Sequence, residues 1–507
     1  MAYSTARRRT AGTMLACALL ASVLAVALGN QRAAAAPNSM RVRVGVFNIE
    51  YGGTHVSFDK VVAAIERGGA QIVGIEEAQG HIPRLARELG WPYFSERLQV
   101  VSQFPLIDPP GADGRYLFAE VQPGAVVAIQ NVHLPSNPYG PFRVKQGQSR
   151  KKVLRIENRL RVPAIEPTLD AAEPLIADDI PVFLVGDFNT PTWQDWTRRM
   201  VGVRPQIRYP VRWPVSLAVE DAGFVDSYRA VYPNPMRHPG LTWWADRPKL
   251  FGGYPPRSAP QDRIDLIYAS ADAAPRRSII VGEMHSRLAD VGVHPWPSDH
   301  RSVVSTFDLT PAPTPTLVAV EKLLREVGQK VRVRFHSPGA PGEQIAVEPA
   351  GGEVPADSID EQPTSGGADG TVAFDTDGWS PGRYAAVLVD NGDTELSRIP
   401  FWLRPVDGDV QLSTGKAMYS VGEPIDVSWT FAPARRWDWI GIYKRGRDPL
   451  VAYYLLWGYT GASVEGTISL DEDDHGPWPL PDGRYTAYLL TDDSYKALAR
   501  VDFAISG

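Results

Sequence analysis

The sequence predicts an α/β domain followed by two all-β modules. Three observations carry this. From residue 42 to about residue 309, strand-like apolar runs alternate with amphipathic helical patterns. A Pro/Thr-rich segment, 311–316, then interrupts the chain. Beyond it the pattern changes to short alternating strands and turns, and it occurs twice.

The first 36 residues read as an export leader. Arg7, Arg8 and Arg9 form a basic start, an apolar run extends from about Thr13 to Leu28, and Ala33 to Ala36 offers small-residue cleavage sites. The expectation is a secreted protein without a membrane-spanning segment in its mature chain, with Sec and twin-arginine export both open. The one cysteine, Cys17, lies in this leader, so the mature chain has no thiol chemistry.

The domain at 37–310 is built from recognisable elements. Val42 to Ile49 reads as a strand and Phe58 to Gly69 as an amphipathic helix closed by glycine. Gln71 to Glu76, the run AVVAIQNVHL and the run PVFLVGDF read as further strands. The linker, 311–316, is expected to be extended and stiff. The modules at 317–405 and 406–507 repeat each other. Val327 to Phe335 matches Val421 to Trp429, Gly370 to Phe374 matches Gly466 to Leu470, and SPGRYAAVLVDNGD matches PDGRYTAYLLTDDS. A spacing of roughly one sandwich domain suggests immunoglobulin-like modules. Neither shows a cluster of titratable residues, so chemistry is expected in the front domain alone and the tail should be dispensable for it. A surface or a polymer is the expected tail ligand.

Charge is uneven. The chain has a formal charge of −6. Residues 37–310 hold 31 basic and 29 acidic residues, whereas residues 311–507 hold 17 and 29. The front domain is near neutral despite its clustered acids, so the rest of its surface leans basic.

Those acids lie in short motifs at strand ends: FNIE (Phe47 to Glu50), GIEEAQG (Gly74 to Gly80), NVHL (Asn131 to Leu134), GDFN (Gly186 to Asn189), DRIDLIY (Asp262 to Tyr268) and PSDH (Pro297 to His300). Each alone has an ordinary reading. Asp187 and Asp299 could cap turns, His133 could be a satisfied strand histidine, and Glu77 an exposed loop acid. Together they offer oxygen ligands for a hard cation, neutral amide donors and imidazoles, the set that phosphate-ester chemistry needs.

In this order the motifs resemble the endonuclease/exonuclease/phosphatase superfamily, across about Val42 to Leu309. The resemblance implies two packed mixed sheets flanked by helices, a deoxyribonuclease I-like sandwich. It implies Mg²⁺, with Mn²⁺ or Ca²⁺ as alternatives. Glu77 would be the main metal ligand, with Asn48, Glu50 and Asp299 as further metal-site residues; the position before Glu77, often Gln in the family, is Glu76 here. His133 would bind phosphate, Asp187 would orient water and Asn189 would donate to a phosphoryl oxygen. His300 would act as base or transition-state donor, its ring held by Asp265. The nucleophile would be water.

Between Arg143 and Arg161 stand eight basic residues and one acid. Arg150, Lys151 and Lys152 are candidate substrate contacts; a solvated helix face is the plainer reading. Trp213, Trp243, Trp244, Tyr254 and Trp296 are expected to be core and loop residues rather than a stacking groove, as are the aromatics of Trp437 to Tyr443.

The function expected is a secreted, monomeric, Mg²⁺-dependent phosphodiesterase or phosphatase. An extracellular nuclease and a sphingomyelinase-like lipid phosphodiesterase are the alternatives, so nucleic acid and phospholipid are both candidate partners. A surface-binding protein with an inactive front domain is the non-enzymatic one.

Overall fold

The computed structural model describes residues 38–246, 260–472 and 476–507. The expected leader, residues 1–36, and Tyr254 lie outside them. Ser39–Gly507 form one compact unit.

Six strands organise the front domain: β1 (Met40–Asn48), β2 (Ile72–Glu76), β3 (Ala125–His133), β4 (Val182–Asp187), β5 (Asp265–Ser270) and β6 (Ser302–Leu309). One sheet runs in the order Val291–Val293, Ala274–Glu283, β6, β1, β2, Val100–Ser102, Tyr93–Ser95. The other runs Leu106–Ile107, Leu117–Gln122, β3, β4, β5, Phe224–Asp226. Both mix parallel and antiparallel pairing.

Alternation along each strand explains the sandwich. Val42, Val44 and Val46 of β1 pack with Val127 and Ile129 of β3, Phe183 and Val185 of β4, and Ile267 of β5 in one buried cluster between the sheets. The Phe183 and Phe307 rings meet there at 4.8 Å. The opposite face of β1, Phe47 and Ile49, packs on the helix Phe58–Gly68. That helix ends as its sequence predicts, on Gly69 at φ 69°. The helix Arg150–Ala177 covers the second sheet through Ile165, Leu169, Ala172 and Leu175.

Because side chains repeat every second residue, the inward rows continue to the strand ends. There they finish in Asn48, Glu76, His133 and Asp187 and, on the antiparallel β5, begin at Asp265. All lie at one edge of the two-sheet stack. Gly186 lets β4 reach this edge. Its φ is 150°, and a Cβ there would stand 1.9 Å from the Val132 carbonyl oxygen of β3. The sequence suggests a turn glycine; the structure shows a close approach of two backbones.

The C-terminal half contains two β modules of matching topology. In each, a three-stranded sheet is joined by a five-stranded one. The first spans Leu317–Val320 to Glu395–Arg404 and the second Gln411–Thr414 to Ala497–Ser506. Each buries its own apolar cluster.

The C-terminal half is not separate from the front domain. The linker is extended, as its composition predicts, and it is also held: Ala312–Pro313 pairs antiparallel with Ala125–Val126 of β3, and just beyond it Leu317 and Ala319 join the front domain's core. Nor is the second module independent of the front domain. Arg435 pairs with Glu96, the Arg436 amide bonds the Arg97 carbonyl, and Arg97 reaches back to the Ala462 carbonyl. Arg436 itself is half-buried in this interface, on the Gly114 carbonyl and Thr168; desolvation lowers its pKa to about 9. The first module adds an ion pair between Arg334 and Glu120.

The backbone approach at Gly186 sets the first prediction. Gly186→Ala should destabilise the protein by about 3 kcal/mol or more, since it adds both a steric clash and a disfavoured backbone conformation. Denaturant unfolding measures this, and a variant that unfolds at the wild-type midpoint would refute the close-approach account.

Candidate active site

Strand register assembles the centre of the site. His133 of β3 pairs with Asp187 of β4, and Asp187 pairs with Asp265 of β5. The three side chains therefore stand side by side on one face of one sheet. Asn48 and Glu76 are partners in the facing sheet. His300 comes from the loop just before β6. Ser298 ties that loop to β1: its hydroxyl donates to the Asn48 carbonyl at 2.7 Å and accepts from the His300 amide at 3.0 Å.

Asp187 is the hub. Its Oδ2 accepts from the amides of Asn48 and Asn189, each at 3.2 Å, and its Oδ1 accepts from the Asn189 backbone at 2.9 Å. The Nε2 atoms of His133 and His300 both stand 3.7 Å from Oδ2. Burial pushes the Asp187 pKa up, His300 and His133 pull it down and Asp265 pushes it up again, leaving it at about 6.

His300 is held from behind. Its Nδ1 faces both oxygens of the fully buried Asp265 at 3.0 Å. Burial alone would lower its pKa, but the charges of Asp265, Asp187 and Asp299 outweigh that and raise it well above the ordinary value. His133 is treated likewise, by a residue that the sequence did not suggest. Its Nδ1 lies 3.0 Å from Asp493 of the second C-terminal module. Against the lowering effect of burial, Asp493, Asp187 and Glu77 raise it to about 10.

The expected metal-site residues fall into two neighbouring pairs. Glu77 accepts from Asn48 at 3.3 Å and from the Tyr51 amide at 3.1 Å. Glu50 accepts from the Asp299 amide at 3.1 Å and pairs with His55. The Tyr51 phenol feels Glu77, Glu50 and Asp299 alike, after burial the causes that raise its pKa. Asp299 also accepts from the Trp243 indole at 3.2 Å. Glu50, Tyr51, Glu77 and Asn189 all have left-handed backbone at φ 47–56°. Such residues cost about 1–3 kcal/mol each and collect where function needs them.

These residues suit a hard divalent cation, because they offer mostly carboxylate and amide oxygens. Asp187, Asp265 and His300 each present a ligand atom within 4.8 Å of the others, a carboxylate–histidine cluster of the metal-binding type. Glu76 lies beneath them, fully buried, and neither of its carboxylate oxygens has a hydrogen-bond partner. Burial, then Asp265 and Asp187, raise its pKa well above the carboxylate range. Its inward strand position sets it apart from Glu77, whose carboxylate meets Asn48 and the Tyr51 amide.

Some expectations change. Asn189 does not present a free donor: its amide nitrogen serves the Leu134 carbonyl and Asp187. It braces Asp187 within an Asx turn. Arg150, Lys151 and Lys152 form the exposed first turn of the helix Arg150–Ala177, Arg150 and Lys151 line a surface hollow with Arg155, and among the described residues no hydrogen bond or ion pair joins the three to the cluster. Arg161, from the same basic run, is buried in a pair with Glu157. The DRID motif divides its labour. Asp265 enters the site, whereas Arg263 forms a buried network with Asp195 and Asp226, and Asp262 accepts from Trp196 and Tyr139. Trp213 and Trp296 are core residues, as are Trp437, Trp439 and Tyr443. Trp243 lines the site, its ring 6.3 Å from His300.

Residues 45–300 match the model of the Endonuclease/Exonuclease/phosphatase family. An uncharacterized protein of Caenorhabditis elegans is 24% identical over 299 residues, which cover 52% of this chain and 91% of that protein. Among solved structures, an endonuclease/exonuclease/phosphatase from Beutenbergia cavernae is similar at 18% identity and TM-score 0.32, covering 72% of this chain and 100% of its own. A mannosyl-6-phosphatase from Bacteroides thetaiotaomicron is similar at 15% identity and TM-score 0.32, covering 52% and 98%. The family match spans half of the sequence and contains every strand-end acid and histidine of the front-domain cluster, so this chain belongs to the endonuclease/exonuclease/phosphatase family, with the metal-dependent active site of a phosphoric ester hydrolase.

Proposed function

We propose that the protein is a secreted, Mg²⁺-dependent phosphodiesterase or phosphatase that uses water as its nucleophile. The observation that carries this reading is Asp187 between two imidazoles, each backed by its own carboxylate. Mg²⁺ would be held by Glu77 and Asn48 with Asp299 and Glu50 beside them, and when bound it supplies positive charge to the phosphoryl oxygens. Mn²⁺ or Ca²⁺ would suit the same oxygens.

The protein's own groups do the rest. At neutral pH Asp187, at about 6, is mostly ionised and is the group suited to orient a water and take its proton. The carboxylates of Asp265, Asp187 and Asp299 raise the His300 pKa well above its ordinary value, a direction that favours the role of donor to the phosphoryl or leaving oxygen over that of base. Asp265 fixes the ring so that Nε2 faces the reaction. His133 meets the phosphoryl group from the opposite side as a second cation. Asn189 and Asn48 keep Asp187 in place.

A second reading is favoured by one observation. In the second module Leu450, Val451 and Tyr453 are 72%, 86% and 90% exposed, and Tyr453 is near enough to Tyr51 to act on its ionisation. Exposed Lys444, Arg445 and Arg447 precede them. An apolar tip with basic flanks suits a lipid surface, so a phospholipid substrate is the alternative, ahead of duplex nucleic acid. Secretion rests on the leader-like first 36 residues. The tail modules fit an immunoglobulin-like description through their repeated two-sheet topology, and the mature chain is taken as a monomer.

The deciding experiment is a hydrolysis panel with and without EDTA: bis-p-nitrophenyl phosphate, sugar and inositol phosphates, sphingomyelin vesicles, RNA and duplex DNA. Activity on at least one ester that EDTA abolishes and Mg²⁺ restores is expected; no turnover anywhere would favour a binding protein.

Two sets of variants probe the roles. Glu77→Gln should raise the Mg²⁺ requirement and lower the rate roughly 10²-fold. Glu76→Gln should do much less, because that acid is fully buried and burial already disfavours its charged form; equal effects would overturn the assignment. Asp265→Asn and His300→Ala should each cost a large factor, and the double variant little more. Additive losses would mean that the two do not work as one unit.

A further inference from the structure

The active-site edge is not made by the front domain alone. The turn Thr491–Ser494 of the second C-terminal module reaches it with two consecutive carboxylates. Asp492 accepts from the Gln99 side chain and from the Gly80 amide, both at 2.5 Å. Gly80 closes the loop that carries Glu77. Asp493 lies 3.0 Å from His133 Nδ1, and its other oxygen accepts from Tyr459 at 2.7 Å. Both side chains of the His133–Asp493 pair are nearly buried, at 13% and 12% exposure.

The turn is built to hold this position. Asp492 and Asp493 have left-handed backbone, at φ 56° and 54°. Asp438, fully buried, accepts from the Asp492 amide, the Thr491 hydroxyl and the Arg435 amide. The Asp493 amide donates to the Trp437 carbonyl. Arg435 and Arg436, beside Asp438, make the contacts to the front domain. One stretch of chain therefore docks the module and presents Asp493.

Among the described residues of the front domain, the carboxylate that pairs with His133 is Asp187, 3.7 Å from Nε2. Nδ1 is served by the module. We propose that Asp493 is the positioning residue of His133, and that the second C-terminal module thereby completes the active site in trans-domain fashion. The proposal rests on the phosphoesterase reading for its consequence and on the geometry for its existence. Asp493 accepts the hydrogen bond from Nδ1–H, holds the ring's orientation and turns Nε2 toward Asp187 and the phosphoryl group. Asp265 does the same for His300 from within the front domain, so the two histidines are matched although their partners lie about 230 residues apart in sequence. A front domain cut off after Leu309 would retain Asp265 and lose Asp493.

The full chain carrying Asp493→Ala tests this, beside Asp493→Glu, His133→Ala and the double variant Asp493→Ala with His133→Ala. With bis-p-nitrophenyl phosphate and saturating Mg²⁺, Asp493→Ala should lower kcat roughly 10- to 100-fold with little change in KM, the scale for losing an imidazole's carboxylate partner. Asp493→Glu should recover part of the loss. The double variant should be no slower than His133→Ala. A kcat equal to wild type, or a loss that persists undiminished on the His133→Ala background, would overturn the proposal. Nitrogen-15 NMR of the imidazoles supplies a readout that needs no turnover. The His133 Nδ1 resonance should shift in Asp493→Ala while the His300 resonances hold, and an unmoved His133 signal would overturn the proposal. If the wild-type chain hydrolyses no ester, the reading of its function fails, and the NMR result still decides whether Asp493 holds His133.

Discussion

The carboxylate of Asp187 is the constraint on which the site depends. It is buried between two sheets, and a lone ion there would cost several kcal/mol. Its position is tolerable because four groups converge on it: the amides of Asn48 and Asn189 and the imidazoles of His133 and His300. Each comes from a different strand end or loop. Asn189 shares the end of β4 with Asp187, so the fold must hold four segments in register before any one of these residues has its proper environment. Gly186 and Gly74 show how tightly this is done. A Cβ at Gly74 would lie 2.5 Å from Val185 and 2.7 Å from Asn131 across the sheets.

The same alternation that makes the core makes the site. Valines, isoleucines and phenylalanines fill the inward positions of the central strands, and the polar residues simply occupy the last inward position of each row. The site is thus the open rim of the hydrophobic core. Glu76 belongs to that rim yet lies too deep for solvent, and burial raises its pKa. Glu77, one residue on, has left the strand, adopts left-handed backbone and turns its carboxylate to Asn48 and Tyr51.

Buried charge also joins the domains. Asp438 and Asp492 are both forced upward by burial, to about 7 and about 6, and Arg436 downward. Desolvation on this scale is unfavourable in isolation. It is offset by hydrogen bonds from backbone amides, hydroxyls and Gln99, so removing one partner would leave another buried polar group unsatisfied. The interface is specific for that reason: a shifted module would strand these groups. The cost is accepted where it delivers carboxylates to Gly80, Gln99 and His133.

The sequence by itself determined the layered α/β domain, the repeat of the two β modules and the strand-end motifs. Those depend on local alternation and on residue type, which a linear pattern carries. It also singled out the Asp265–His300 partnership, through motif order. Only the tertiary structure decided that Asn189 braces Asp187, that Asp262 and Arg263 serve the interior, and that the basic turn Arg150–Lys152 forms no bond with the acid cluster. It alone showed that the linker joins a sheet and that Asp493 reaches His133. These facts depend on which segments meet across hundreds of residues. An Asp-Asp pair in a β turn has the same local signature whether it faces water or the imidazole of another domain, so no pattern along the chain could have marked it.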